Sequence, residues 1–186
     1  MKTKNIIACL VLLITAQAVN AQSNAEALIR LLVDQMKSHK NVEMAFNYQI
    51  SADGKNFAES EKGHAWLQGE AYKIEMADQQ TISDGTDITP LKLLTSLDES
   101  YAASLSGIDA QGVATVELAN PKGQYKRVTL KINTKKKDLK SADIYLEDGS
   151  KVAINVEEMK YDQPLDSNFF TFDAKKHPKV DMIDMR

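Results

Sequence analysis

Met44-Ala45-Phe46-Asn47-Tyr48-Gln49-Ile50 decides how this chain folds. Large apolar side chains stand at every second position with Ala45, Asn47 and Gln49 between them, the period of a strand with one buried face. Upstream the period is different. Leu28, Leu32 and Met36, with Ile29 and Val33 beside them, form the apolar stripe of an amphipathic helix. Ser23 and Glu26 have capping-box spacing at its start, and His39-Lys40 mark its end.

Downstream of the strand the period of two returns repeatedly. Asp53-Gly54 is a tight turn, a strand covers 64–68, Gly69 turns the chain, and Tyr72, Ile74 and Met76 share one face of the next strand. After the turn signal Ser83-Asp84-Gly85, Thr89-Pro90 opens a second helix. Leu94, Leu97, Tyr101 and Leu105 recur there at threes and fours, with Leu91 and Leu93 close by, and Gly107 fits the stop. Further strands are predicted at 113–119, 125–132, 142–146, 152–156 and 169–172. Lys135-Lys136-Lys137-Asp138 is a charged hairpin turn that could also touch membrane headgroups or a transporter. Eight strands joined by short turns and two helices outside the ladder give an α+β fold with an antiparallel sheet. The helices must bury their stripes on its apolar face. A curved sheet with helices across its concave side can leave an apolar cavity between the layers.

The first residues have the layout of a secretory signal: Lys2 and Lys4, an apolar run from residue 6 to 18, then Val19-Asn20-Ala21 before Gln22. The run is short of the roughly 20 residues a spanning helix needs. Ile6-Ile7-Ala8-Cys9 spells a lipoprotein-type box, but most of the hydrophobic run follows Cys9, the wrong order for lipidation there. Cleavage after Ala21 leaves 22–186 as one domain, a length sufficient for a real core. It removes two of the 23 basic residues against 26 acidic ones, for a net charge of about −5, and also the only cysteine. The mature chain then has no disulfide and no thiolate metal site. A mildly acidic surface without basic clustering excludes nucleic acid as the expected partner.

Catalytic patterns are missing. The three histidines, His39, His64 and His177, sit at a helix end, a strand start and before a proline. No G-x-S-x-G, H-E-x-x-H or P-loop accompanies them. Asp143 with Glu147, and Glu157 with Glu158, read as solvent-facing strand positions. The expectation is a binding protein with no enzyme activity, no cofactor and no metal.

Gly63-His64-Ala65-Trp66-Leu67, then Tyr72-Lys73-Ile74-Glu75-Met76 and Thr81-Ile82-Ser83-Asp84-Gly85, resembles the central hairpin of the LolA outer-membrane lipoprotein carriers. Phe170-Thr171-Phe172-Asp173 leading to His177-Pro178-Lys179-Val180-Asp181-Met182-Ile183-Asp184 resembles their C-terminal strand and tail. The leading helix followed by Met44-Ala45-Phe46 is similar to their start, so the resemblance spans nearly all of 24–186. It implies an open half-barrel with amphipathic helices covering the concave face. It also implies a monomeric periplasmic carrier that takes lipoprotein acyl chains from an inner-membrane ATP-driven extractor and delivers them to an outer-membrane acceptor. A lipid- or apolar-ligand-binding sensor on the same fold is the alternative.

Two departures stand out. Only Thr86, Asp87 and Ile88 separate Gly85 from Thr89, where the family has a further strand, so one wall is expected to be incomplete or the cavity more open. Lys73 is the nearest position to an arginine that helps hold the family's lid, and lysine lacks the planar fork. An acyl cavity needs apolar, adaptable walls without a strong polar grip. The residues expected to supply them are Met36, Met44, Phe46, Tyr48, Trp66, Tyr72, Ile74, Met76, Phe170 and Phe172. Leu91, Leu94 and Leu97 are expected on a lid that either packs permanently or lifts. Ordinary core packing is the competing reading for each of the wall residues.

Overall fold

The computed structural model describes residues 24–77, 79–83, 101–120, 122 and 125–172. Helix α1 covers 24–37, and its buried residues Ala25, Ile29, Leu32, Val33 and Met36 lie on one face as the stripe requires. Among the described residues nine strands follow: β1 Val42–Ser51, β2 Glu61–Gln68, β3 Ala71–Met76, β4 Gln79–Ser83, β5 Ala102–Ile108, β6 Val113–Ala119, β7 Tyr125–Asn133, β8 Asp138–Leu146 and β9 Lys151–Tyr161.

They form one antiparallel sheet in the order β4-β3-β2-β1-β9-β8-β7-β6-β5. Among the described residues the sheet is not closed, and β4 and β5 are its edges. The first and last strands meet in the middle, and every other neighbour pair is a hairpin. Register shifts opposite Ala45/Phe46, at Leu105/Gly107, and at two places along β7 insert extra residues into the ladder. Such bulges bend strands and increase twist, which suits the curved half-barrel of this α+β fold.

Period-two alternation divides the sheet cleanly. On the inner face, which carries α1, Val116, Leu118, Leu130 and Ile132 are essentially sealed and pack with Ile29, Leu32 and Val33. A second, smaller cluster lies further along β1 and β2: Phe46, Tyr48 and Ala65 with Met44, Ile74, Met76 and Ile154.

A polar joint fixes the end of α1 to the end of β9. His39 stacks on Tyr161 with ring centroids 4.2 Å apart, and its Nδ1 lies 2.7 Å from the Asp162 carboxylate. The Lys40 backbone N–H donates to the same carboxylate. These bonds hold the Asp162 carboxyl below its ordinary range. Asn41 adds two bonds to the Gln163 backbone.

Three expectations change. Tyr101 and Leu105, placed on the second helix, belong instead to a bend and to β5; Leu105 faces Val116 across the ladder. Strand β4 went unpredicted because its turn uses Ala77 at a φ of +48°, with no Gly or Asn to mark it. Phe169–Phe172 is not a strand. Its backbone makes two successive turns, Phe169 N–H to Asp166 O and Thr171 N–H to Asn168 O, and Phe169 and Phe170 bond through their rings instead of through a ladder. The signal segment with Cys9, the cap residue Ser23, the short stretch 86–88, the lid residues Leu91, Leu94 and Leu97, and the tail with His177 lie outside the described residues.

Candidate functional site

Beyond α1 the inner face continues as an apolar strip. Antiparallel pairing sets Met44 opposite Ala65, Phe46 opposite Gly63 and Tyr48 opposite Glu61 on β2, and then Ile74 and Met76 opposite Ala65 and Gly63 on β3. Gly63 is required here. A Cβ at this position would run into the ring edge of Phe46 and sit 3.1 Å from the Glu75 carbonyl. The ring edge therefore occupies the space that a side chain at position 63 would fill. Met44 and Met76 add unbranched, polarizable side chains that adapt to irregular neighbours.

The strip opens at one end into a cleft of about 190 Å³, walled by Tyr48, Ile50, Ala58 and Met76 with Glu59 and Glu61 at the rim. Tyr48 is buried, yet its hydroxyl donates to Glu61 over 2.9 Å, so the ring faces hydrocarbon and the oxygen faces the rim. The loop 52–60 builds one side. Asp53 accepts from Ser51, from the Lys55 and Asn56 backbone N–H groups and from the Asn56 amide. Those bonds, the backbone ones foremost, hold its carboxyl far below the ordinary range. The loop folds back on β1 through Ala58 N–H to Ile50 O. A second cleft of about 100 Å³ touches Met36, Val42 and Leu67 at the end of α1.

Of the expected wall residues, Met36, Met44, Phe46, Tyr48, Tyr72, Ile74 and Met76 share the inner face. Met36 and Tyr72 join the packing under α1, Phe46, Tyr48, Ile74 and Met76 form the strip, and Met44 packs against both. Trp66 does not join them. It lies between Ala65 and Leu67, so alternation sends it to the outer face. There His64 stacks on it at 5.5 Å and Phe169 meets it edge-on at 5.4 Å, with Phe170 edge-on to Phe169 at 5.2 Å. Lys73 also projects outward, with Nζ 5.5 Å from the Trp66 centroid, 4.8 Å from Phe169 and 2.9 Å from Glu75. It therefore points away from any cover on the inner face. Burial pushes the Glu75 carboxyl up, but the Lys73 and Gln80 hydrogen bonds and the Lys73 charge outweigh it and leave the carboxyl below its ordinary range. Phe172 is half-buried at the end of the same segment.

Sequence reading missed Ile154, Ala58, Glu59 and Glu61. Ile154 was visible in the 152–156 alternation; the loop residues needed the register that places 58–61 beside Tyr48. Among the described residues no three His, Cys, Asp or Glu side chains gather as a metal site, and no helix is long and apolar enough to cross a membrane.

The family model for the outer membrane lipoprotein carrier protein LolA matches residues 70–173, more than half of the chain. The chain belongs to the LolA family. The match begins at Glu70, so the Gly63–Leu67 motif and α1 precede it, and it runs through β3 to the Phe169–Phe172 turns. No protein with a curated function matches. Among solved structures, this LolA-family chain is similar to a conserved protein from Thermus thermophilus, at 8% identity over 80% of this chain and 93% of that one, with a TM-score of 0.50. It is also similar to LprF from Mycobacterium bovis, at 12% identity over 77% and 95%, TM-score 0.46. MucB from Pseudomonas aeruginosa, solved with MucA, is 11% identical over 82% of this chain, TM-score 0.42. The chain spans 62% of that MucB, less than two thirds of its length.

Proposed function

We propose that this LolA-family chain is a periplasmic carrier that binds lipoprotein acyl chains on the inner face of its half-barrel and shuttles them from the inner to the outer membrane. The observation behind this reading is the apolar strip Phe46, Tyr48, Ile74 and Met76, which lies outside the packing of α1, is joined to it through Met44 and Ile154, and opens into a cleft. Each methylene moved from water into such surroundings gains about 0.8 kcal/mol. Even part of one chain is thus held by several kcal/mol. In this reading residues 1–21 are a cleaved export signal and 22–186 a single, monomeric domain. Leu91, Leu94 and Leu97 form a movable cover, and the chain acts by binding, without catalysis. Its partners are an inner-membrane ATP-driven extractor and an outer-membrane acceptor.

A fluorescent long-chain fatty acid tests the site. The purified protein is expected to bind it, and Ile74→Glu or Leu94→Glu to weaken binding by about tenfold or more, since an unpaired carboxylate against hydrocarbon costs several kcal/mol. Inner-membrane vesicles test the role: the carrier releases a lipoprotein from them when the extractor is supplied with ATP. Binding without release makes the protein a lipid-binding sensor; no binding at all ends the acyl-site reading.

A further inference from the structure

At the end of the sheet away from the cleft, two hairpin tips are stitched together. Turn 109–112 joins β5 to β6, and turn 134–137 joins β7 to β8. The Thr134 N–H and hydroxyl both donate to the Gly112 carbonyl, at 3.0 and 2.8 Å. Asn133 organises the second tip by accepting from the Lys135 and Lys136 N–H groups. Lys135, Lys136 and Lys137 are all exposed on it. Asp109, the acid of the neighbouring tip, is committed to the backbone N–H groups of Gln111 and Val113. Directly before that tip stands Ile108, 55% exposed, the most exposed of the large apolar side chains among the described residues. At the other end of β8 the turn carries acids, Glu147 and Asp148. One end of this sheet half thus carries a run of three lysines with an apolar side chain beside it, whereas at the other end acids and lysines are mixed, Glu147 pairing with Lys126 over 3.2 Å.

We infer that the paired tips are a docking surface for an anionic lipid bilayer, with Lys135, Lys136 and Lys137 meeting the headgroups and Ile108 entering the interface. The hydrogen-bonded backbone of the tip carries the three lysines on one turn, so contact adds no backbone ordering cost. A lysine held near an anionic membrane surface contributes about fivefold in binding, so three contribute about a hundredfold. An exposed isoleucine beside them favours a bilayer over an acidic protein face, because only the bilayer offers hydrocarbon directly behind its negative charge. This inference stands apart from the acyl-chain reading, because it uses no residue of the cleft.

Vesicle co-sedimentation of the mature protein tests it. Vesicles of phosphatidylglycerol mixed with phosphatidylcholine are expected to bind it, and pure phosphatidylcholine vesicles are not. High salt should weaken the binding about tenfold or more. Combining Lys135→Gln, Lys136→Gln and Lys137→Asn should reduce it about a hundredfold. Asparagine suits position 137, where φ is +60°. The matching change at the far end, Lys55→Gln with Lys122→Gln and Lys126→Gln, should leave binding within about twofold. Ile108→Ser should remove the part that survives salt, a few-fold effect. An unchanged melting temperature shows that the variants fold. The surface is not a lipid-docking one if the triple tip variant binds like the parent, if zwitterionic vesicles bind equally, or if the tips capture an acidic protein while ignoring vesicles. Fatty-acid binding by the tip variant reads the acyl site separately, so loss of one leaves the other standing.

Discussion

The two halves of the inner face share one alternation and fill it differently. Under α1, β6 and β7 present Val116, Leu118, Leu130 and Ile132, branched aliphatics that interdigitate with Ile29, Leu32 and Val33 until almost no surface is left. On β1 to β3 the same positions hold Met44, Phe46, Tyr48, Ile74 and Met76, with Gly63 leaving room for a ring. That half ends in a cleft. Period two makes a face apolar; whether the face becomes a solid core or a receptive surface depends on what lies over it and on side-chain shape.

Truncation should break the contrast most sharply. Leu130→Ala is expected to cost about 2–5 kcal/mol in urea unfolding, the usual loss for a sealed leucine. Fatty-acid affinity measured on the folded protein should not change. A loss below about 1 kcal/mol would mean that the α1 half is as loose as the other.

A smaller effect is expected at the strip. Gly63→Ala should cost about 1–3 kcal/mol by forcing Phe46 off its seat, and it should also weaken fatty-acid binding. Phe46→Leu in the same chain should return part of the stability, which a double-mutant cycle measures. Additive costs would show that the ring does not rest on Gly63.

The smallest effect sharpens the comparison through pH. Asp53 beside the cleft has its carboxyl depressed from an ordinary value of 3.8. Its contribution is therefore present above that value and lost as acid protonates the folded state. Tyr161 behaves oppositely: burial and its hydrogen bond to Asp138 raise its hydroxyl from an ordinary 10.0. Stability from that bond is complete below pH 10.0 and lost as pH rises. Asp53→Asn should flatten the acid limb of a stability-pH curve, and Tyr161→Phe the alkaline limb. If either variant flattens both limbs, the two ends of the sheet are not independent.

Much of this was legible before any coordinates. The stripe of α1 and seven of the nine strands follow from periodicity and turn residues, because a half-buried element must repeat its apolar side chains at its own pitch. The resemblance in the central hairpin is matched by a family model that starts inside that hairpin. Where sequence reading failed, local signals pointed elsewhere. Leu94, Leu97, Tyr101 and Leu105 are spaced like a helix, yet Leu105 sits in β5, paired with Val116. Phe170-Thr171-Phe172 alternates like a strand, yet its neighbour Phe169 spends its ring on Trp66.

Sequence alone determined that this chain makes an antiparallel sheet with an apolar face and a helix to lie on it, since those follow from spacing along the backbone. It also determined that Met44, Phe46, Tyr48, Ile74 and Met76 belong to apolar strand faces. Only tertiary structure decided that Trp66 and Lys73 stand on the opposite side, that Glu61 meets the Tyr48 hydroxyl, and that β1 lies against β9. Those outcomes depend on register and strand order, which long-range pairing sets and which no local pattern encodes.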